Sequence, residues 1–133
     1  MTKLNIIGTY FGQSGYDSHT RQLALALNKL CEVSISTQRP ANWARLMEDE
    51  EFKMLMRNPN EAEVNLCIGL PYNWNSIMSD GKPFIGFVVW EGNKCPNSWL
   101  ETFMDDRVDL IFVPSEHTKQ AILNTLETHK NDY

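Results

Sequence analysis

The sequence predicts an α/β fold: a single three-layer, Rossmann-like domain over residues 1–133, with a mainly parallel five-stranded sheet. Three observations carry this. Short β-rich runs alternate with runs of helical period along the whole chain. The run over residues 84–90 is nearly continuous in apolar character, the mark of a central strand buried on both faces. No internal repeat, low-complexity tract or linker breaks the alternation.

Leu4-Asn5-Ile6-Ile7 reads as the first strand, ended by Gly8. Over residues 16–30, Leu23, Leu27 and Leu30 fall at i, i+4 and i+7 beside Ala24, one face of a helix. Val33 and Ile35 alternate with Ser34 and Ser36, a second strand with one wetter face. Pro40 can open a second helix, lined on one side by Trp43, Leu46, Met47, Met54 and Leu55. The acidic run Glu48-Asp49-Glu50-Glu51 reads as its solvated side, and Asn58-Pro59-Asn60 stops it. Residues 64–68 form a third strand closed by Gly69. A Pro71-Tyr72-Asn73-Trp74 loop and an Asp80-Gly81-Lys82-Pro83 turn lead to the fourth strand, residues 84–90. A short helix over 98–104 and a fifth strand over 108–113 follow. Ser115 then caps a last helix, with Glu116 in its first turn and His129 and Lys130 near its end. This order places the first strand at the centre of the sheet.

Composition narrows the function classes. A chain of 133 residues with 42% hydrophobic content can bury a core without disulfides or metal. Twelve basic against seventeen acidic residues give a net charge of −5 with no basic stripe, which argues against nucleic acid as the main partner. The longest apolar run is far short of a membrane span, and the N-terminal one is too short for a signal peptide. Cys31, Cys67 and Cys95 stand apart, as suits a reducing compartment, and three scattered histidines make no metal site.

In parallel sheets, ligands sit at the C-terminal ends of the strands. Four loops there could carry chemistry. Gly8 to Gly15 has the spacing G-x-x-x-G-x-x-G. Gly12, Ser14 and Gly15 could bring the backbone and the next helix N-terminus to a phosphate or sugar hydroxyl, or merely form a tight turn. A dinucleotide reading wants an acid after strand two, where Thr37-Gln38-Arg39 stands, and a P-loop wants a Lys-Ser/Thr ending that is missing. Asp17 or Ser18 could cap the first helix, His19 suits a surface or core position, and Arg21 either reaches an anion or lies in solvent. Glu91, directly after strand four, either handles a proton or sugar hydroxyl, or braces its loop by accepting backbone N–H bonds. Ser115 either binds a ligand or only caps its helix; it lacks the glycines of a hydrolase elbow.

Taken together, these segments resemble the N-terminal, acceptor-side domain of GT-B glycosyltransferases of the group 1 retaining type. Gly12-Gln13-Ser14-Gly15-Tyr16 with Arg21 and the Leu23–Leu27 run is similar to their first loop and helix. Trp90-Glu91, with Pro96 and Trp99, resembles a W-E…P…W pattern. The segment from Val108 to Glu116, ending Val113-Pro114-Ser115-Glu116, resembles their D-x-I-x-V-P-S-E segment. The resemblance implies transfer of a sugar from a nucleotide-sugar donor to an acceptor, without a metal or other cofactor. It implies Glu91 as a catalytic group, and Gly12, Ser14, Gly15, Tyr16, Arg21, Trp90 and Ser115 as substrate-binding. Many relatives carry a histidine where this sequence has Trp90-Glu91. The implied partners are a sugar or other acceptor and a C-terminal donor-binding domain, in the same or a separate chain. The implied location is cytoplasmic or membrane-peripheral, with no transmembrane segment and no nucleic acid. A cleft shaped for a second domain would leave apolar surface uncovered at Tyr10, Phe11 or Trp90, and Gly12 to Gly15, Glu91 and Ser115 would converge on it. The alternative is a stand-alone, non-catalytic module that binds a nucleotide or sugar. A phosphoacceptor domain is disfavoured, because strands one and three end in Gly8-Thr9 and Gly69-Leu70.

Overall fold

The computed structural model describes residues 2–11, 15–37, 48–71 and 74–131. Its strands are β1 (Lys3–Ile7), β2 (Glu32–Ser36), β3 (Val64–Ile68), β4 (Phe84–Phe87) and β5 (Val108–Phe112). Its helices are α1 (Gly15–Leu27), α2 (Asp49–Met56), α3 (Trp74–Met78), α4 (Leu100–Phe103) and α5 (Glu116–Asn131), with 3-10 turns at Pro59–Glu61 and Asn97–Trp99. The topology is that of a Rossmann-like α/β fold, a five-stranded parallel sheet in the order β2-β1-β3-β4-β5. The chain divides into two compact units, Met1–Ile68 and Gly69–Tyr133.

In the first unit β1 runs between β2 and β3, with Ile6 opposite both Ile35 and Leu66. Ile6, Val33, Ile35 and Leu66 are buried and share one face of the strands. The other face is polar but not wet. Asn5 and Asn65 pair in register and are buried with Ser34. The Ser34 hydroxyl donates to Asn5 Oδ1 at 3.0 Å, and Asn5 Nδ2 donates to Ser36 Oγ at 3.1 Å. The alternation expected of β2 is therefore present, but its serines turn inward, because an asparagine on the next strand satisfies them.

Two helices depart from expectation in this unit. The first stops at Leu27, so Leu30 is 77% exposed instead of lining a core face. The second is described only from Asp49; Pro40, Trp43, Leu46 and Met47 lie outside the described residues. Its acidic run is solvated only in part: Glu48 and Asp49 are exposed and Glu50 is half-buried. Glu48 is the N-cap, joined to Glu51 in a reciprocal capping box, and Asp49, Glu50 and Glu51 fill the first turn. That is where carboxylates meet the free N–H groups and positive end of a helix. Glu51 itself is buried.

In the second unit β4 and β5 are parallel neighbours, Phe87 opposite Phe112. β4 is shorter than expected: residues 88–90 leave the ladder after the Val88 N–H donates to the Phe112 carbonyl at 3.0 Å. Phe84, Gly86 and Val88 are buried while Ile85 and Phe87 are half-buried, so the apolar run is not equally covered on both faces. Asp80 Oδ1 accepts from Lys82 N at 3.0 Å, and Gly81 takes φ 75° in the expected turn. Phe84, Trp74, Phe103, Trp99 and Trp90, in that order, form a continuous line of ring contacts, with centroids 4.9–6.3 Å apart. No helix among the described residues is long and apolar enough to cross a membrane.

Candidate functional site

The loop after β1 reaches the N-terminus of α1. Gly12 and Ser14 lie outside the described residues. Gly15 is the first residue of α1, and a Cβ there would meet nothing within 4 Å among the described residues, so packing against them does not require glycine. Gly8 is the glycine the packing does require: a Cβ there would lie 3.0 Å from the Ile68 carbonyl and 3.2 Å from Thr20 Oγ1. Tyr16 is 37% exposed at the second position of the helix. Arg21 is half-buried, and its Nη1 donates to the Tyr10 carbonyl, fixing the backbone of the loop.

Tyr10 and Phe11 correct an expectation. They are 1% and 8% exposed, and their rings meet edge-on with centroids 5.2 Å apart. The Tyr10 hydroxyl donates to a Glu51 carboxylate oxygen in the interior. Large apolar side chains that are exposed among the described residues lie elsewhere and are scattered: Leu30, Phe52, Met56, Met104 and Leu123, besides Leu110 and Phe112 on β5. Tyr10 turns inward because Glu51, held at the start of α2 by its cap, gives the hydroxyl a buried acceptor.

The second group lies in the other unit, where β4 and β5 run parallel, so the loops that follow them leave from the same edge. Trp90 is half-buried: its ring meets Trp99 edge-on at 4.9 Å, and its Nε1–H donates to the Lys94 carbonyl at 2.7 Å. The indole lies so close over the loop that a Cβ at Gly92 would sit 2.8 Å from Nε1.

One side of α5 ties this loop down. Thr118 Oγ1 donates to the Trp90 carbonyl at 3.4 Å, and His117 Nε2 lies 3.0 Å from the Glu91 carbonyl. Asn124 Nδ2 donates to the Asn93 carbonyl at 3.0 Å. Thr125 Oγ1 accepts from Cys95 N at 2.8 Å while donating to the Ala121 carbonyl. Positions 117, 118, 124 and 125 recur at helical spacing, so a single stripe serves successive groups of the loop backbone. Sequence reasoning missed these four residues. Polar types at helical period do not by themselves distinguish a bracing stripe from a solvated face; only the partner loop does.

Glu91 is exposed, and its carboxylate makes no hydrogen bond or ion pair among the described residues. The loop is braced by the α5 side chains. Ser115 caps α5: Thr118 N donates to Ser115 Oγ at 3.3 Å, and the two hydroxyls are also 3.3 Å apart. Its side chain is therefore engaged at the helix end, three residues after β5 closes at Phe112 and one before α5 opens at Glu116. The second unit thus brings Trp90, Glu91 and Ser115 to one strand edge through the α5 stripe, while Gly15, Tyr16 and Arg21 belong to the first unit. The His129 and Lys130 side chains lie outside what is described. Among the described residues no three His, Cys, Asp or Glu side chains are grouped to hold a metal ion. No family model and no curated protein matches the chain.

Proposed function

We propose that this chain is the acceptor-side half of a group 1, GT-B glycosyltransferase, which passes a sugar from a nucleotide-sugar donor to an acceptor. The donor is held by a second domain of the same or a separate chain. On this reading the enzyme works in the cytoplasm or peripherally on a membrane, and needs no metal or other cofactor.

The observation that carries the reading is the Glu91 carboxylate, which stands exposed, with no hydrogen bond or ion pair among the described residues, in the loop four residues past the end of β4, while other side chains brace that loop. The C-terminal edge of such strands is where α/β folds bind ligands. A carboxylate there accepts a hydrogen bond from an acceptor hydroxyl, orients it, and can take its proton as the new bond forms. Trp90 offers part of an aromatic face beside it for the apolar side of a sugar ring, and the start of α5 at Ser115 adds N–H groups at the same edge. Gly12, Ser14, Gly15, Tyr16 and Arg21 serve as the further substrate contacts.

Titrating the chain with mono- and oligosaccharide acceptors tests this. Saturable changes in tryptophan fluorescence and in the backbone amide signals of residues 90–94 are expected. With a panel of nucleotide sugars and acceptors, the chain alone should show little or no turnover. Robust transfer by the chain alone, or no response to any sugar, would overturn the assignment.

A further inference from the structure

The first unit holds a cavity of about 110 Å³ at the N-terminal ends of β1 and β2, the opposite end of β1 from the loop that leads to α1. Its walls are Lys3 and Glu32, which open the two strands, Ser34 on β2, and Arg57, Asn58 and Glu61 from the segment leaving α2.

Arg57 governs what the cavity can accept. Both Nη1 hydrogens are used, on Asn28 Oδ1 at 2.6 Å and on the Val33 carbonyl at 2.9 Å. The guanidinium is held by these two bonds. The three N–H groups on Nε and Nη2 make no hydrogen bond among the described residues. Such an edge takes a carboxylate through two parallel bonds. Glu32 lines the same cavity, and its carboxylate has no hydrogen bond or ion pair among the described residues. Lys3 instead stands 3.6 Å from Glu61, so those two charges offset each other. Ser34, buried beneath, spends its hydroxyl hydrogen on Asn5 Oδ1 and keeps its oxygen as an acceptor.

A guanidinium and a carboxylate that line one cavity without neutralising each other are matched by a molecule that carries both charges. A simple anion would meet the carboxylate of Glu32, and a simple cation would meet Arg57. We propose that this cavity binds a small zwitterion of the amino-acid type, its carboxylate on the Nε/Nη2 edge of Arg57 and its ammonium on Glu32. The volume suits a small one such as glycine, alanine or serine.

Isothermal titration of the full chain with glycine, L-alanine and L-serine tests this, with acetate and methylammonium as singly charged controls. Saturable binding is expected from at least one amino acid and from neither control. Glu32→Gln should weaken it about tenfold or more, the worth of one charge-assisted hydrogen bond, with circular dichroism unchanged. Arg57→Lys keeps the charge but loses the two-pronged edge, and should weaken binding similarly. Because Arg57 also braces Asn28 and Val33, Glu32→Gln is the deciding variant. No saturable binding of any of the three at millimolar concentration, equal binding of acetate, or full affinity in Glu32→Gln would each overturn the proposal.

Discussion

The indole of Trp74 fills the space in which a side chain at Gly86 would begin. A Cβ on Gly86 would meet ring carbons Cη2, Cζ2 and Cζ3, the farthest of them 2.7 Å away. Trp74 is fully buried, packs on Phe84 at 5.4 Å and Phe103 at 6.3 Å, and its N–H has no partner among the described residues. Shape, not a hydrogen bond to any of them, places this ring.

Gly86→Ala should therefore destabilise the chain by about 1–3 kcal/mol, the cost of overpacking a close-packed interior, seen as a lower midpoint in urea. Gly15→Ala is the contrast. Its Cβ would meet none of the described residues at a helix start, so stability should hold or rise by about 0.4–1 kcal/mol. Loss of sugar binding in that variant, with stability kept, would mark Gly15 as a point of close ligand approach.

Tyr10→Phe removes one hydrogen-bond donor from the buried Glu51 carboxylate, which also accepts from Glu48 N at 3.3 Å. The expected loss is about 1–3 kcal/mol in chemical denaturation, from a buried acceptor left short of a partner. An unchanged midpoint would mean that the carboxylate finds a replacement donor without cost.

Glu91→Gln keeps the shape of the side chain and removes its charge. Stability should be unchanged, because His117, Thr118 and Asn124 hold the loop. In an enzyme completed by its donor domain, sugar transfer should fall by about a hundredfold or more, as for groups that handle a proton. A drop in melting temperature with activity per folded molecule intact would make Glu91 a brace.

Burial pushes the Cys67 thiol up to about 12 from 9.0. Native chain at pH 8 should leave Cys67 unalkylated by iodoacetamide, while unfolded chain reacts at all three cysteines, as read by peptide mass spectrometry. The linkage has a definite sign. The contribution of Cys67 to stability is fully present below pH 9.0 and is lost as pH rises from there through about 12, since the unfolded thiol ionises first.

The order of strands and helices was legible because each element announces itself locally: Leu4 to Ile7 before Gly8, Val64 to Ile68 before Gly69, Ser115 ahead of a helical run. Ends were less so. Leu30 keeps the helical spacing of Leu23 and Leu27, yet the chain turns away after Leu27, where Cys31 N and Asn28 N close the helix on carbonyls of its last turn. The fourth strand lost residues 88–90 because Trp90 is drawn onto Trp99 and Gly92, contacts that no period in the sequence encodes.

Alternation of residue types by itself determined the parallel α/β class, since a period of two or of 3.6 is a property of neighbours along the chain. Which polar residues go inside was decided only by tertiary structure. Glu51 and Ser34 read as wet, but Tyr10 and the cross-strand pairing of Ser34 with Asn5 give them partners that make burial affordable. The same holds for the site. Glu91 stands out in sequence by following a strand, but its freedom from bracing duty rests on a stripe of α5 contributed by residues 26 to 34 positions further along. Such partnerships depend on distances through space, and the free energy of burying a polar group is set by those distances alone.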